Sequence, residues 1–239
     1  MSEIIQGLWV GTELSVMERL SIASFLRNGH EYHLYVYGGM ENVPEGTVIR
    51  DAGEILPESS VFQYRQVPSY AGFANFFRYK LVLERGGWWA DTDTVCLRPF
   101  DFPEEYVFSS ETIHGGREVI NSGVFEAPPR SPAMAYAWEV CRSKDTARLV
   151  WGETGPKLMA ETVTRHGLER FRQPHRVFCP LSYLDWHKVL EPDAALAFDH
   201  STRAVHLWNE RWRATGQDKN AAYHPDCLYE QLKRKYLNF

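Results

Sequence analysis

Asp91-Thr92-Asp93 is the segment of this chain whose residue types and spacing are best suited to chemistry. In an extended chain, residues i and i+2 point the same way, so both carboxylates can face one ligand. Hard carboxylate oxygens hold divalent cations, and a cation held there neutralises a diphosphate. The same pair of acids also arises by chance, as a solvated turn or an inert surface cation site, so its setting decides its meaning. WWAD at 88–91 reads as a compact strand carrying the acids at its C-terminal end, where open α/β sheets bind ligands. No GxGxxG follows a strand, and neither GxxxxGK[ST] nor GxSxG occurs. His30-Glu31-Tyr32-His33 is one residue short of HExxH, and both histidines read as ordinary surface or edge residues.

The elements that must carry these acids can be read from apolar periodicity. EIIQGLWV at 3–10 reads as a buried strand, and Thr12 as the N-cap of a helix with Val16, Leu20, Ala23 and Leu26 on one side. Asn28-Gly29 suits its C-cap, and YHLYVYG at 32–38 is a second strand. Strand, helix and strand in this order make a βαβ unit, hence a parallel sheet covered by helices. Residues 40–70 are mixed and broken by prolines. YAGFANFFRYKLVLER, apolar almost all round, reads as a buried helix stopped by Gly86-Gly87. Further strands are expected at 105–110, 119–126 and 204–208, and helices at 131–143, 154–166 and 223–236, with 168–203 irregular. Without repeats or a Gly/Ser linker, the expectation is one domain over 1–239.

Bulk properties exclude several classes. The 239 residues are 44% hydrophobic and 24% charged, as in ordinary globular proteins. A net charge of −5 argues against a nucleic-acid binder. The eight Trp serve either a Trp-rich core or aromatic walls for sugars and bases. Cys96, Cys141, Cys179 and Cys227 lie far apart, without CxxC, and read as reduced, mostly buried thiols. The N-terminus lacks a signal-peptide pattern and no run reaches the length of a membrane span, so the expectation is a soluble cytoplasmic protein.

RYKLVLERGGWWADTDTVCLRPFD resembles the sugar-binding region containing a DxD motif of retaining glycosyltransferases. That family includes yeast mannosyltransferase-like enzymes, α-1,4-galactosyltransferases, capsular polysaccharide transferases and, distantly, the clostridial glucosylating toxins. The match rests on Arg78, Gly86, Gly87, Trp89, Asp91 and Asp93. It departs at Asn75, where the family carries an Asp that contacts donor-sugar hydroxyls. An amide still hydrogen-bonds hydroxyls, and Asn75 shares a helix face with Arg78, one turn on. LWVG at 8–11 resembles the toxins' first strand and nominates Trp9 for stacking on uracil, with core packing as the alternative. INSGVFEAP resembles the strand behind the sugar and nominates Asn121. TGP at 154–156 matches a family helix start. AVHLWNERW resembles the late His-x-Trp segment, in which His206 would ligate the metal and Trp208 would lie over the donor.

The resemblance implies a Rossmann-like α/β/α domain of the glycosyltransferase-A type. In it Asp93 and His206 ligate Mn²⁺ or Mg²⁺, and Asp91 shares the metal or reaches the ribose. Arg78, Asp91 and Asp93 are the catalytic candidates. Trp9, Asn75, Arg78, Trp89, Asp91, Asn121 and Trp208 are the donor-binding ones. The implied partners are a nucleotide-sugar donor, UDP-linked if Trp9 stacks, and an acceptor that is a glycan, a lipid-linked sugar, a protein or a modified nucleobase. The implied transfer retains anomeric configuration. Two other classes stay open: a non-catalytic nucleotide-sugar-binding module and a metal-dependent phosphodiester hydrolase. The latter would need a richer Asp/His cluster for two metals.

Overall fold

The computed structural model describes residues 3–237 except 195 and 197. Its strands are β1 (Ile4–Leu8), β2 (Glu31–Val36), β3 (Val48–Asp51), β4 (Gly87–Ala90), β5 (Thr94–Cys96), β6 (Val107–Thr112), β7 (Glu118–Ala127) and β8 (Ala204–His206). Its helices are α1 (Val16–Arg27), α2 (Ala71–Arg85), α3 (Pro132–Arg142), α4 (Pro156–Arg165), the single turn α5 (His175–Phe178), α6 (Asn209–Thr215) and α7 (Leu228–Tyr236). Six strands form one sheet in the order β3-β2-β1-β4-β7-β6. β1 pairs in parallel with β2 and β4, and β3 with β2; β7 runs antiparallel to β4 and β6. The expected βαβ unit is therefore present, and the sheet is parallel-dominated.

Successive residues of a strand face opposite sides of its sheet. Trp88, Val107 and Val124 accordingly enter one core, while Trp89, Phe108 and Phe125 enter the other. Phe73 and Leu81 of α2, Met134 of α3 and Leu158 of α4 cover the Trp89 side. Ile22 and Phe25 of α1, with Phe178 of α5, cover the Trp88 side. The α/β class with helices on both faces is thus observed. A third apolar cluster joins Met17 and Leu20 of α1 to Trp212, Tyr229 and Leu232, with Val95 and Val205 between them. It seats the antiparallel ribbon β5–β8, which stands outside the main sheet.

Buried α2 ends as its glycines dictate. Gly86 has φ 68°, and a Cβ there would lie 2.4 Å from Pro129 Cδ, so the helix stops and β4 begins at once. All four cysteines are buried and unbridged, as expected. Among the described residues no helix is long and apolar enough to cross a membrane.

Several local expectations fail for identifiable reasons. The N-cap of α1 is Ser15, not Thr12: Ser15 forms a capping box with Glu18, whose carboxylate accepts from Ser15 N–H at 2.8 Å. The Thr12 carbonyl is taken by Glu41 N–H across the loop, so the chain reaches the helix three residues later. His30 and His33 are not surface residues: they are 7% and 5% exposed. β2 is an interior strand, and the His30 imidazole accepts from Phe100 N–H at 3.0 Å between the rings of Phe25 and Phe100. Burial lowers the His30 pKa. β3 was hidden within 40–70 because a short, exposed edge strand carries no apolar alternation. The 204–208 strand exists but pairs with β5 rather than joining the main sheet. α7 starts at Leu228, five residues after the expected 223, and α6 was not foreseen.

Candidate functional site

β4 ends at Ala90, and the next three residues turn at the C-terminal edge of the sheet. Asp91 N–H donates to Gly123 O at 2.7 Å and Thr94 N–H donates to Asp91 O at 2.9 Å. Asp91 Oδ1 accepts from Trp89 Nε1–H and pairs with Arg78 Nη2, each at 2.8 Å. Arg78 also donates to the Ser122 carbonyl, and its guanidinium lies 5.1 Å from the Trp89 ring centre. Burial beside Asp93 pushes the Asp91 pKa up, against the pull of Arg78.

Asp93 is held from the other side. Its Oδ1 faces His206 Nε2 at 3.1 Å and its Oδ2 accepts from Asn209 N–H at 2.8 Å. Two features of the fold deliver these partners. The ribbon register sets His206 opposite Thr94, next to Asp93. Trp208 then adopts left-handed φ 59° and ψ 54°, which aims the first free N–H of α6 at Asp93. A non-glycine residue in that region costs about 1–2 kcal/mol, strain of the kind that functional sites store. Trp208 is anchored by its Nε1–H to Leu181 O at 3.0 Å, and its ring lies 4.0 Å from the His206 ring. Burial acts to raise the Asp93 pKa, but the pairing with His206 and the Asn209 N–H bring it below the usual value. Burial acts to lower the His206 pKa, and Asp93 more than offsets it, holding the imidazole well above its ordinary value.

Single ligating atoms of Asp91, Asp93 and His206 all lie within 4.8 Å of one another. Two carboxylates and one imidazole suit a manganese- or magnesium-like ion. The Asp91 side chain, 26% exposed, opens this cluster to incoming groups, whereas those of Asp93 and His206 are 12% and 9% exposed.

β7 lies against all of it. Asn121 Oδ1 accepts from Gly123 N–H at 2.6 Å, and Asn121 Nδ2–H donates to buried Glu111 at 3.0 Å. Burial pushes the Glu111 carboxyl up. Asn75 donates to Thr154 Oγ1 at 3.3 Å and borders Gly155 at the start of α4. The structure therefore gathers Arg78, Trp89, Asp91, Asp93, Asn121, His206 and Trp208, with Asn75 alongside.

Two of the expected donor residues are buried. Trp89 is 1% exposed and belongs to the core, and its indole N–H donates to Asp91. Strand parity explains this, because residues 89 and 91 share the face that looks at α2. Arg78 is 4% exposed with its guanidinium committed to Asp91 and Ser122. Trp9, one residue beyond β1, is half-buried: its Nε1–H donates to Glu13 O at 2.9 Å and the Lys219 ammonium lies 5.5 Å from its ring centre.

Sequence reading passed over Gly123. A Cβ there would lie 2.9 Å from Asn121 Oδ1, 3.0 Å from Asp91 Oδ2 and 3.5 Å from His206 Cε1. Gly123→Ala should therefore displace two site side chains while leaving the backbone in place. The affinity of the Asp91–Asp93–His206 cluster for Mn²⁺ should fall about tenfold or more, with a stability loss of about 1–3 kcal/mol from overpacking. Titration calorimetry beside thermal melting checks this; unchanged affinity would show that neither side chain serves binding. Only the SG within INSGVFEAP hinted at this close approach.

Residues 26–111 match the family described as "Glycosyltransferase sugar-binding region containing DXD motif". Over these residues the chain is similar to that family. The chain is 28% identical over 179 residues to the alpha-1,4-N-acetylglucosaminyltransferase of Homo sapiens, covering 66% of this chain and 48% of that protein. It is 33% identical over 113 residues to the initiation-specific alpha-1,6-mannosyltransferase of Candida albicans, covering 43% of this chain and 28% of that protein. The match thus spans about half of the first relative and less of the second. A solved structure titled PaToxG Glycosyltransferase is similar over 69% of each chain, with 16% identity and a TM-score of 0.49. The matched DXD region contains Arg78, Trp89, Asp91, Asp93 and Glu111, whereas Asn121, Gly123 and His206 lie beyond it.

Proposed function

We propose that this chain is a metal-dependent, retaining glycosyltransferase of the glycosyltransferase-A type, moving a sugar from a nucleoside diphosphate donor to an acceptor hydroxyl. The observation that carries the reading is the convergence of His206 on Asp91 and Asp93 at the C-terminal edge of β4, the two acids lying inside the DXD family match and His206 beyond it. These three residues would hold Mn²⁺ or Mg²⁺, which when bound supplies Lewis-acid stabilisation of the leaving diphosphate. Arg78 and Trp89 keep Asp91 oriented, and Asn209 N–H fixes the rotamer of Asp93. Asn75 offers its amide to the donor-sugar hydroxyls, and Asn121, engaged by Glu111 and Gly123, shapes the wall behind the sugar. Trp9 takes the base by stacking, which favours uridine, and Trp208 covers the donor from the His206 side. The relatives' names make N-acetylglucosamine and mannose the first sugars to try. Asp91, Asp93 and Glu111 are engaged by Arg78, His206 and Asn121, which supports a front-face route over a carboxylate nucleophile. One three-residue ligand cluster among the described residues does not suit two-metal phosphodiester hydrolysis.

The test is a nucleotide-sugar screen by thermal stabilisation. A UDP-sugar should raise the melting temperature with Mn²⁺ present and not with excess chelator. Hydrolysis of that donor without acceptor then separates an enzyme from a binding module. If no nucleotide-sugar stabilises the protein, or chelator makes no difference, the reading fails.

His206 adds a pH signature. Its folded pKa is raised above the ordinary value of about 6.5, so its pairing with Asp93 stabilises the metal-free protein fully below that pH. The contribution is lost as pH rises through the folded value. A metal needs the neutral imidazole, so binding must expel a proton and should tighten as pH rises through that same range. His206→Gln should weaken Mn²⁺ binding about tenfold or more and flatten the profile. Calorimetry in buffers of different ionisation enthalpy counts the proton; no release with the parent protein would remove His206 from the ligand set.

A further inference from the structure

Most tryptophans here are covered, but Trp151 is 50% exposed, beside Val150 at 64%; Tyr70, at the N-terminal end of α2, is 39% exposed. These residues belong to two loops that meet. The Trp151 ring lies 5.0 Å from that of Tyr64, and Tyr64 packs on Gly72 at the start of α2, two residues after Tyr70. The Tyr64 hydroxyl faces Thr154, the residue whose side chain accepts from Asn75. The exposed ring is thus three residues and one hydrogen bond away from the candidate site.

The loop presenting Trp151 is braced. Glu153 accepts from Val150 N–H at 3.3 Å and pairs with Lys144 at 2.6 Å, while Glu153 N–H donates to Val150 O at 3.1 Å. A ligand meeting this ring need not order it, so little of the binding energy is lost to immobilisation.

We infer that Trp151, backed by Tyr64, is the stacking platform of an acceptor subsite that takes a pyranose ring of a carbohydrate. The inference rests on the glycosyltransferase reading and assigns the acceptor class. One face of a pyranose is a patch of C–H groups rimmed by hydroxyls. The exposed indole supplies the apolar surface, and the partly exposed Glu153 of the same loop, with its partner Lys144, supplies polar groups. The loop exposes only two large apolar side chains, Val150 and Trp151, well short of the continuous apolar area that a lipid surface or a stable protein interface requires.

The test compares the parent protein with Trp151→Ala and Trp151→Phe. Lactose, chitobiose and methyl α-mannopyranoside are titrated separately at millimolar concentrations with UDP and Mn²⁺ present, and binding is followed by saturation-transfer NMR. At least one saccharide should bind, with saturation strongest on the C–H groups of one ring face. Trp151→Ala should weaken that binding about tenfold or more, the loss of one aromatic contact, and Trp151→Phe should restore most of it. Melting temperatures confirm that both variants fold. The platform is overturned if none of the three binds the parent, if Trp151→Ala binds as well as the parent, or if the Trp151 fluorescence responds instead to phosphatidylglycerol vesicles. UDP binding with Mn²⁺ is measured first on the parent: its absence condemns the transferase reading, whereas its presence without saccharide binding condemns the platform alone.

Discussion

Asp93→Ala should abolish metal-dependent nucleotide binding and sugar transfer while the protein stays folded. The carboxylate has one oxygen on His206 and the other on the Asn209 N–H, so its removal takes away a ligand and frees the ligand opposite. Losing a whole ligand should exceed the roughly 10–100-fold cost of disturbing a ligand's support, so metal affinity should fall about a hundredfold or more. The stability cost should be smaller, about 1–3 kcal/mol, because the orphaned imidazole can shed its proton and the N–H lies at a helix start near solvent. Asp93→Asn sharpens the test. It preserves shape and the Asn209 hydrogen bond but lacks the charge, and it should bind nucleotide no better than the alanine variant. Calorimetric titration of UDP with and without Mn²⁺ measures this. If Asp93→Ala keeps chelator-sensitive nucleotide binding, the metal site lies elsewhere.

Arg78→Met is expected to have the largest effect on stability. Removing one partner of a fully buried ion pair costs about 3–5 kcal/mol, because the other charge is left unpaired. Asp91 is 26% exposed, so solvent relieves part of that and about 2–3 kcal/mol is the expected loss. Without Arg78, burial and Asp93 raise the Asp91 pKa further. A carboxyl whose folded pKa is raised takes up a proton more readily folded than unfolded, so the deficit should shrink as pH falls through that value and be greatest above it. The double variant Arg78→Met/Asp91→Asn should recover most of the stability and none of the metal binding. Denaturant titration of the four proteins closes the cycle. If the double variant is no more stable than Arg78→Met, the cost comes from the contacts of Arg78 with Ser122 and Trp89 rather than from the orphaned Asp91.

Features that depend on neighbours in the chain were legible before any coordinates. The DXD at the end of a strand, the buried helix stopped by two glycines and the βαβ unit all follow from local pattern, and each is present. Ser15 rather than Thr12 caps α1 because Glu41, distant in the chain, takes the Thr12 carbonyl, and the start of α6 is fixed by Asp93, which takes the Asn209 N–H from 116 residues away. His30 reads as polar in one dimension and is core in three, because its imidazole satisfies the Phe100 N–H.

The sequence by itself determined where a divalent cation could be held, since two carboxylates spaced i and i+2 after a buried strand are defined by adjacent residues. Only the tertiary structure decided which groups serve that chemistry. Of two neighbouring tryptophans, strand parity sends Trp88 to one core and sets Trp89 beneath Asp91. The β5–β8 ribbon carries His206 across 113 residues of sequence to Asp93. β7 brings Gly123 against Asp91 with no room for a methyl group. Those placements depend on register and packing between distant segments, which no window along the chain contains.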